Sequence, residues 1–313
     1  MNIFVLGSIA FDELGQFKGS FKDLIQGSHS GRLSLSFLVE NSVESFGGCA
    51  GNMAYGLGLL KCPATLCGLL GTDGQGYKEV LESWGMEVQF LTLDSDHRTA
   101  RAVITSDRDG AQIAHFTPGA MNPVHSFELP PTAQAGDLFL AGPENPERVL
   151  QAVEQAKAKG LRVLLDPGQI LHVFSSEELL SLVRGSEVLI VNEFEWDLFQ
   201  KKTGLNLQGL LEILPLLIVT KGEKGATLYS TAGNAEVSAF PAEMKDSTGA
   251  GDAFRAGLLA GLKKGYSFAQ AAEVGTVLGS ACVECAFTQG YKLSPDRVLA
   301  LKKLGWPELR LPN

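Results

Sequence analysis

The sequence predicts an α/β protein, a three-layer αβα sandwich with a mostly parallel central sheet and a small β-sheet lid. Two observations carry this. From about residue 137 onward, short continuous apolar runs alternate with helical ones, the pattern of buried parallel strands covered on both faces. Ahead of that, the alternation breaks. Residues 31–40, GRLSLSFLVE, change from polar to apolar at nearly every step, as a half-exposed antiparallel strand does. Residues 99–106 and 111–117 flank the polar turn Asp107-Arg108-Asp109-Gly110 and read as a second strand pair.

The elements follow in order. The opening residues 1–6 run straight into an apolar strand, and 31–40 and the pair 99–106 and 111–117 build the appendage. The alternating half then runs as strand 137–141, helix 146–159, strand 162–166, helix 176–184, strand 188–191, helix 194–203 and strand 216–220. Strand 235–240 leads through a loop to a helix over 253–264, which Gly265 ends. Ligands of such sheets sit beyond the carboxyl ends of the strands. Asp166, Asn192 and Thr220 stand at those ends.

Composition narrows the function. The 313 residues carry a net charge of −9 and are 45% hydrophobic. That balance argues against nucleic acid, whose phosphates demand Lys and Arg. No apolar run approaches the ~20 residues of a membrane span, and the opening residues lack a signal peptide's basic region, so the expectation is a cytoplasmic protein without membrane contact. The five cysteines form an odd set, better suited to a reducing compartment than to disulfides. Cys282 and Cys285 match CxxC, but with no second pair and no helix start they read as helix packing.

The chemistry concentrates at residues 246–262, DSTGAGDAFRAGLLAGL. Gly249, Ala250 and Gly251 let the first-turn amides of a helix face a ligand, and the helix dipole favours negative charge there. Asp252 beside them suits acceptance of a hydroxyl proton. Together they point to phosphoryl transfer. No GxxxxGK[ST] occurs, and the GxG at Gly56 and Gly58 runs into Lys61 within an apolar helix, which argues against P-loop and dinucleotide binding.

Residues 246–262 resemble the second signature of the PfkB carbohydrate kinases, the ribokinase-like superfamily. Phe46-Gly47-Gly48-Cys49-Ala50-Gly51-Asn52 is similar to the N-terminal signature, Asn192-Glu193-Phe194-Glu195 to N-x-x-E, and Thr220-Lys221-Gly222-Glu223-Lys224-Gly225 to the T-K-G-x-x-G nucleotide loop. Within the superfamily the chain most resembles bacterial adenosine kinases of the mycobacterial type, through Gly7-Ser8-Ile9-Ala10 with Asp12, residues 33–39, Pro118-Gly119-Ala120-Met121 and Gly251-Asp252-Ala253-Phe254-Arg255-Ala256-Gly257.

The resemblance implies a single ribokinase-like domain over 1–313, with the lid formed by insertions at about 12–46 and 98–118. It implies transfer from ATP to the 5′-hydroxyl of adenosine, giving AMP. Asp252 is then the base, and the amides around Gly249, Ala250 and Gly251 hold the phosphoryl. Asp12 and Asn52, with the backbone of Gly47 and Gly48, bind the ribose hydroxyls. Ser8, Ser36, Phe116 and Gln169 approach the base, with Phe116 stacking on it. Asn192, Thr220, Gly222 and Gly225 serve ATP, and Glu195, with Asn192, organises magnesium through water. Asp246 and Thr248 match positions that bind a monovalent cation such as potassium. The open edges of the lid suit a homodimer.

Two departures bear on the acceptor. Ala102 follows Thr-Ala-Arg where the mycobacterial-type enzymes carry an aromatic, and Ile170 stands where a second glutamine follows Gln169. Phe37 and Phe46 are candidates to supply the missing ring. The alternatives are a kinase of another purine nucleoside, a kinase of ribose, fructose or a related sugar, and a non-catalytic nucleoside sensor.

Overall fold

A computed structural model describes residues 1–26, 35–109 and 111–310. In chain order, β1 (Ile3–Leu6) enters the large sheet. β2 (Ala10–Gln16), α1 (Phe21–Gln26) and β3 (Asn41–Gly47) leave it, and α2 (Cys49–Leu59) returns. β4 (Thr65–Leu66), β5 (Leu69–Leu70), α3 (Gln75–Ser83) and β6 (Thr92–Leu93) precede the hairpin of β7 (Ala100–Ser106) and β8 (Gln112–Thr117). Next come β9 (Leu138–Ala141), α4 (Pro146–Ala158), β10 (Arg162–Leu165), α5 (Ser176–Val183), β11 (Val188–Asn192), α6 (Glu193–Thr203), α7 (Leu207–Leu211) and β12 (Leu216–Thr220). β13 (Ala226–Ser230), β14 (Gly233–Val237), α8 (Ala250–Lys263), α9 (Phe268–Cys282) and α10 (Pro295–Lys303) complete the chain.

The large sheet has the order β14-β13-β12-β11-β10-β9-β1-β4, parallel from β12 to β4 and antiparallel at β13 and β14. Its strands are apolar on both sides because both sides are covered. Val5, Leu140, Leu164, Ile190 and Ile218 pack with α2, α8 and α9, whereas Leu6, Phe139, Leu165, Val191 and Val219 pack with α4, α5 and α6. Each such side chain contributes roughly 1.5–3 kcal/mol by leaving water. The expected α/β class and mostly parallel sheet are found. The strand expected over 235–240 is shorter, ending at Val237.

A separate sheet, β3-β2-β7-β8, stands where the appendage was expected. The hairpin is as read, and the Asp107 carboxylate accepts from the amides of Phe21, Asp109 and Ala111. The reading of a strand over 31–40 does not hold where it can be judged. Residues 31–34 lie outside the described residues, and 35–40 form no strand although their burial alternates at every residue. The strand is instead β3, with Glu40 joined to Gln16 by one 3.4 Å backbone bond. Alternation reports which side chains face inward; it does not report a ladder.

The hairpin is anchored to the body at one place. The Thr99 amide donates to Asp73 at 2.7 Å, and the Gly71 amide donates to the Thr99 hydroxyl at 2.9 Å. From the other leg, the Ala120 amide reaches the Arg98 carbonyl at 2.8 Å.

Candidate active site

The site forms where three loops meet beyond the carboxyl end of the large sheet and beneath the small one. α8 begins from Gly249, whose φ of +76° is a left-handed conformation that disfavours any side chain. This turns the amides of the first helical residues outward. Those of Gly249 and Gly251 have no acceptor among the described residues, whereas Ala250 donates to the Ser247 carbonyl at 3.2 Å. The expected cradle therefore rests on two of its three named amides.

Asp252 lies on the first turn of α8, partly exposed. Its Oδ2 accepts from the Asn52 side-chain amide at 2.8 Å. Burial raises its pKa, against the pull of that bond, of the Arg255 guanidinium and of the Cys49 thiol. Asn52 is thus a partner of the expected base, with the second N–H of its amide uncommitted among the described residues. Its Oδ1 in turn accepts from Gln289 at 2.9 Å, which fixes the orientation of the amide. Gln289 also donates to Tyr77, whose hydroxyl donates to the Gly47 carbonyl at 2.8 Å.

Asp12 projects from β2 over Gly47, so closely that a side chain at 47 would collide with its carboxylate. Burial, followed by repulsion from Asp252, raises its pKa to about 6. The two carboxylates therefore lie close enough to repel, although only Asp12 lines the cavity beneath the small sheet. In register, Ser45, Asp12, Ala102 and Phe116 form a single cross-strand row. That row belongs to the face of the small sheet that walls a cavity of about 330 Å³, closed on the far side by Asp246, Thr248, Phe287 and Thr288. A volume of this order accommodates a small ligand. A larger cavity, about 590 Å³ between Tyr55 and Trp84, holds none of these acids.

The remaining expected residues divide. Phe116 is half exposed on β8, directly across from Ala102. Gln169 is exposed, with its amide 3.9 Å from the Cys49 sulfur. Ser8 is buried, and its hydroxyl oxygen accepts from the Cys49 amide at 2.9 Å, helping to cap α2. Ser36 is exposed in the irregular segment before β3. Phe37 packs against Phe17 and Phe21, and Phe46 stacks on Tyr77 beside Phe11. Phe46 lies opposite Phe11, one register position from Asp12 and therefore on the other face of the sheet. Neither ring faces the cavity.

Asn192 and Thr220 are register partners at the ends of β11 and β12. Gly222 and Gly225 bound the tight turn between β12 and β13, where the Lys221 amide donates to the Gly225 carbonyl at 2.7 Å. Asn192 and Glu195 form a reciprocal capping box at the start of α6. One Glu195 oxygen accepts from the Asn192 amide at 2.8 Å, leaving the other without a hydrogen bond among the described residues. The Asp246 carboxylate accepts from the Thr248 amide at 2.8 Å, and the Thr248 carbonyl accepts from Cys282 at 3.5 Å. Among the described residues, no group of three or more His, Cys, Asp or Glu side chains is disposed to hold a metal. No described helix is long and apolar enough to cross a membrane.

Sequence reasoning left three contributors unassigned. Cys49 lay inside a quoted motif without a role, Gln289 carried no local signal, and Arg255 stood unnoticed one helical turn after Asp252.

Comparison with known proteins agrees with this geometry. The chain is 30% identical to the nucleoside kinase of Methanocaldococcus jannaschii over 267 residues, 84% of this chain and 87% of that protein. The Burkholderia thailandensis nucleoside kinase solved with inosine superposes with a TM-score of 0.81 at 32% identity, covering 96% of each chain. The M. jannaschii structure gives 0.82 at 26% identity, over 97% of this chain and 99% of that one. The model of the pfkB family carbohydrate kinases matches residues 20–294. An acid beside a helix start with open amides is what a phosphotransferase needs, and the chain belongs to the pfkB family of carbohydrate kinases.

Proposed function

We propose that the protein transfers the terminal phosphoryl group of ATP to the 5′-hydroxyl of a purine nucleoside, converting adenosine to AMP. The observation that carries this reading is the pair Asp12 and Asp252. One acid stands on the small sheet and the other on α8, close enough to repel. Asp12 accepts hydrogen bonds from vicinal ribose hydroxyls, and Asp252 takes the proton of the primary hydroxyl. The freed oxygen attacks the γ-phosphorus, and the β–γ bridging bond breaks with its electrons passing to ADP. Burial makes Asp252 a stronger base than an ordinary carboxylate. The open amides at Gly249 and Gly251 offset charge on the transferred group.

Thr220, Gly222 and Gly225 line the nucleotide side, and Asp246 and Thr248 sit where a monovalent cation would stabilise the turn before α8. The free oxygen of Glu195 would hold magnesium through water, and the ion would supply charge neutralisation on the phosphates. The small sheet acts as a lid from 12–46 and 98–118, and exclusion of water beneath it limits wasteful hydrolysis. The relatives' names and the inosine complex favour a nucleoside over a free sugar. Ala102, in the row with Phe116, leaves room for more than one base. The test is a panel of nucleosides, ribose and fructose with ATP, with phosphorylated products separated by chromatography. Turnover of adenosine or inosine is expected; sugar phosphates alone would overturn the reading.

A further inference from the structure

Arg255 is 6% exposed, at the centre of the molecule. Its Nε and Nη2 engage both carboxylate oxygens of Asp166, which follows β10. Nη2 carries the one hydrogen bond of this guanidinium among the described residues, Nε making only the ion pair, while Nη1 donates to no acceptor there and occupies the space where Gly251 would carry a side chain, 2.7 Å from that Cβ position. Gly251 is therefore required by the guanidinium beneath it. A buried cation normally uses all of its donors; this one leaves its third nitrogen under the turn whose amides are open.

The surroundings make the cation conspicuous. Asp252 is in electrostatic contact with Asp12 on β2, Asp166 after β10, Glu195 on α6, the thiols Cys49 and Cys282, and the phenols Tyr77 and Tyr291. All of these are neutral or negative. Arg255 is the one cation in that set, and it draws on Asp166, Glu195 and Asp252 together.

We propose that Arg255, held in place by Asp166, is a positioning residue for phosphoryl transfer: its fixed charge beneath Gly251 stands beside Asp252 and adds to the attraction of the α8 amides for the incoming phosphoryl. The inference rests on the kinase reading of the site, but not on the identity of the acceptor. A planar fork suits the task because two donors can lock onto Asp166 while the third faces the turn, which an ammonium cannot do.

The test uses R255M, R255K and the double variant R255M/D166N, which leaves no orphaned buried acid, each checked for folding by thermal melt. Whichever acceptor the wild-type enzyme phosphorylates serves for kinetics. In R255M/D166N we expect kcat to fall about 10–100-fold with acceptor KM little changed. In R255M, which keeps Asp166, we also expect the acid limb of kcat/KM to move up by roughly half a pH unit or more. The sign follows from removing a cation that lowers the Asp252 pKa. R255K should restore the limb while recovering only part of kcat. Titration of Asp252 by carboxyl ¹³C NMR, which needs no acceptor, should show the same upward move. A folded double variant with kcat within about threefold of wild type, together with an unmoved Asp252 titration in R255M, would overturn the proposal. Failure of the nucleoside panel would leave this measurement intact.

Discussion

At the scale of single residues, the proposed chemistry rests on two carboxylates whose titrations are coupled, since Asp252 helps to raise Asp12. Asp252→Asn removes the base while preserving shape and the contact with Asn52. Turnover should fall on the order of a thousandfold, given the 10²–10⁴ typical of general bases, with nucleoside affinity by calorimetry retained. Turnover within a few-fold of wild type would assign the proton to another group. Asp12, with its pKa raised to about 6, is ionised above that pH and protonated below it. Only the anion accepts from two hydroxyls, so the nucleoside KM should climb as pH falls through about 6. A flat KM down to pH 5 would remove Asp12 from the sugar contacts. Asp252 and its glycines were legible in the sequence because a helix start without side chains has one obvious chemistry. The Asn52–Asp252 bond was not, since it joins residues 200 positions apart, and no local pattern encodes which amide meets which acid.

At the scale of elements, the start of α8 and the small sheet each yield a test. Gly249→Ala places a Cβ in a left-handed turn and against Thr288, 2.8 Å away. The backbone cost alone is about 1–2 kcal/mol, so thermal stability should drop and kcat should fall with it as the open amides turn away. On the small sheet, Ala102 stands across from Phe116 and Asp12. Ala102→Phe adds a second ring to that row, and one aromatic contact per base is worth roughly 1–3 kcal/mol. Purine nucleoside KM should fall about tenfold, while that of a free sugar stays unchanged; equal shifts for both would show that the base does not bind there. The N-x-x-E stretch carries a lesson of another kind. Its spacing fits a magnesium site and a capping box equally, because both need an acid facing back one turn, and in the fold the cap is visibly made.

At the scale of the molecule, the parallel half was readable because strands buried on both faces must be apolar throughout. The first half was less so. β4, β5 and β6 are two residues each, too short for any period to register. Residues 35–40 alternate only because Phe37 and Val39 turn inward, toward Phe17, Phe21 and Gly15. If the small sheet closes over the nucleoside, amide exchange in β7 and β8 should slow on binding while α9 in the core stays unaffected. Equal protection with and without ligand would argue for a fixed wall.

The shared anchorage of the hairpin at Arg98, Thr99 and Ala120 gives such a closure its form. β7 is laddered to β2 along its whole length and β2 to β3, so any swing would carry the four strands together from the end where Ala10, Gly47 and Ala100 are register partners. Phe116 is four residues from Ala120, whereas the tip at Asp107 is much farther out along strands that climb about 3.3 Å per residue. A modest swing carries the tip through a wide arc and barely displaces the ring. On the proposed reading, a purine stacked on Phe116 would meet that ring before the tip has moved far.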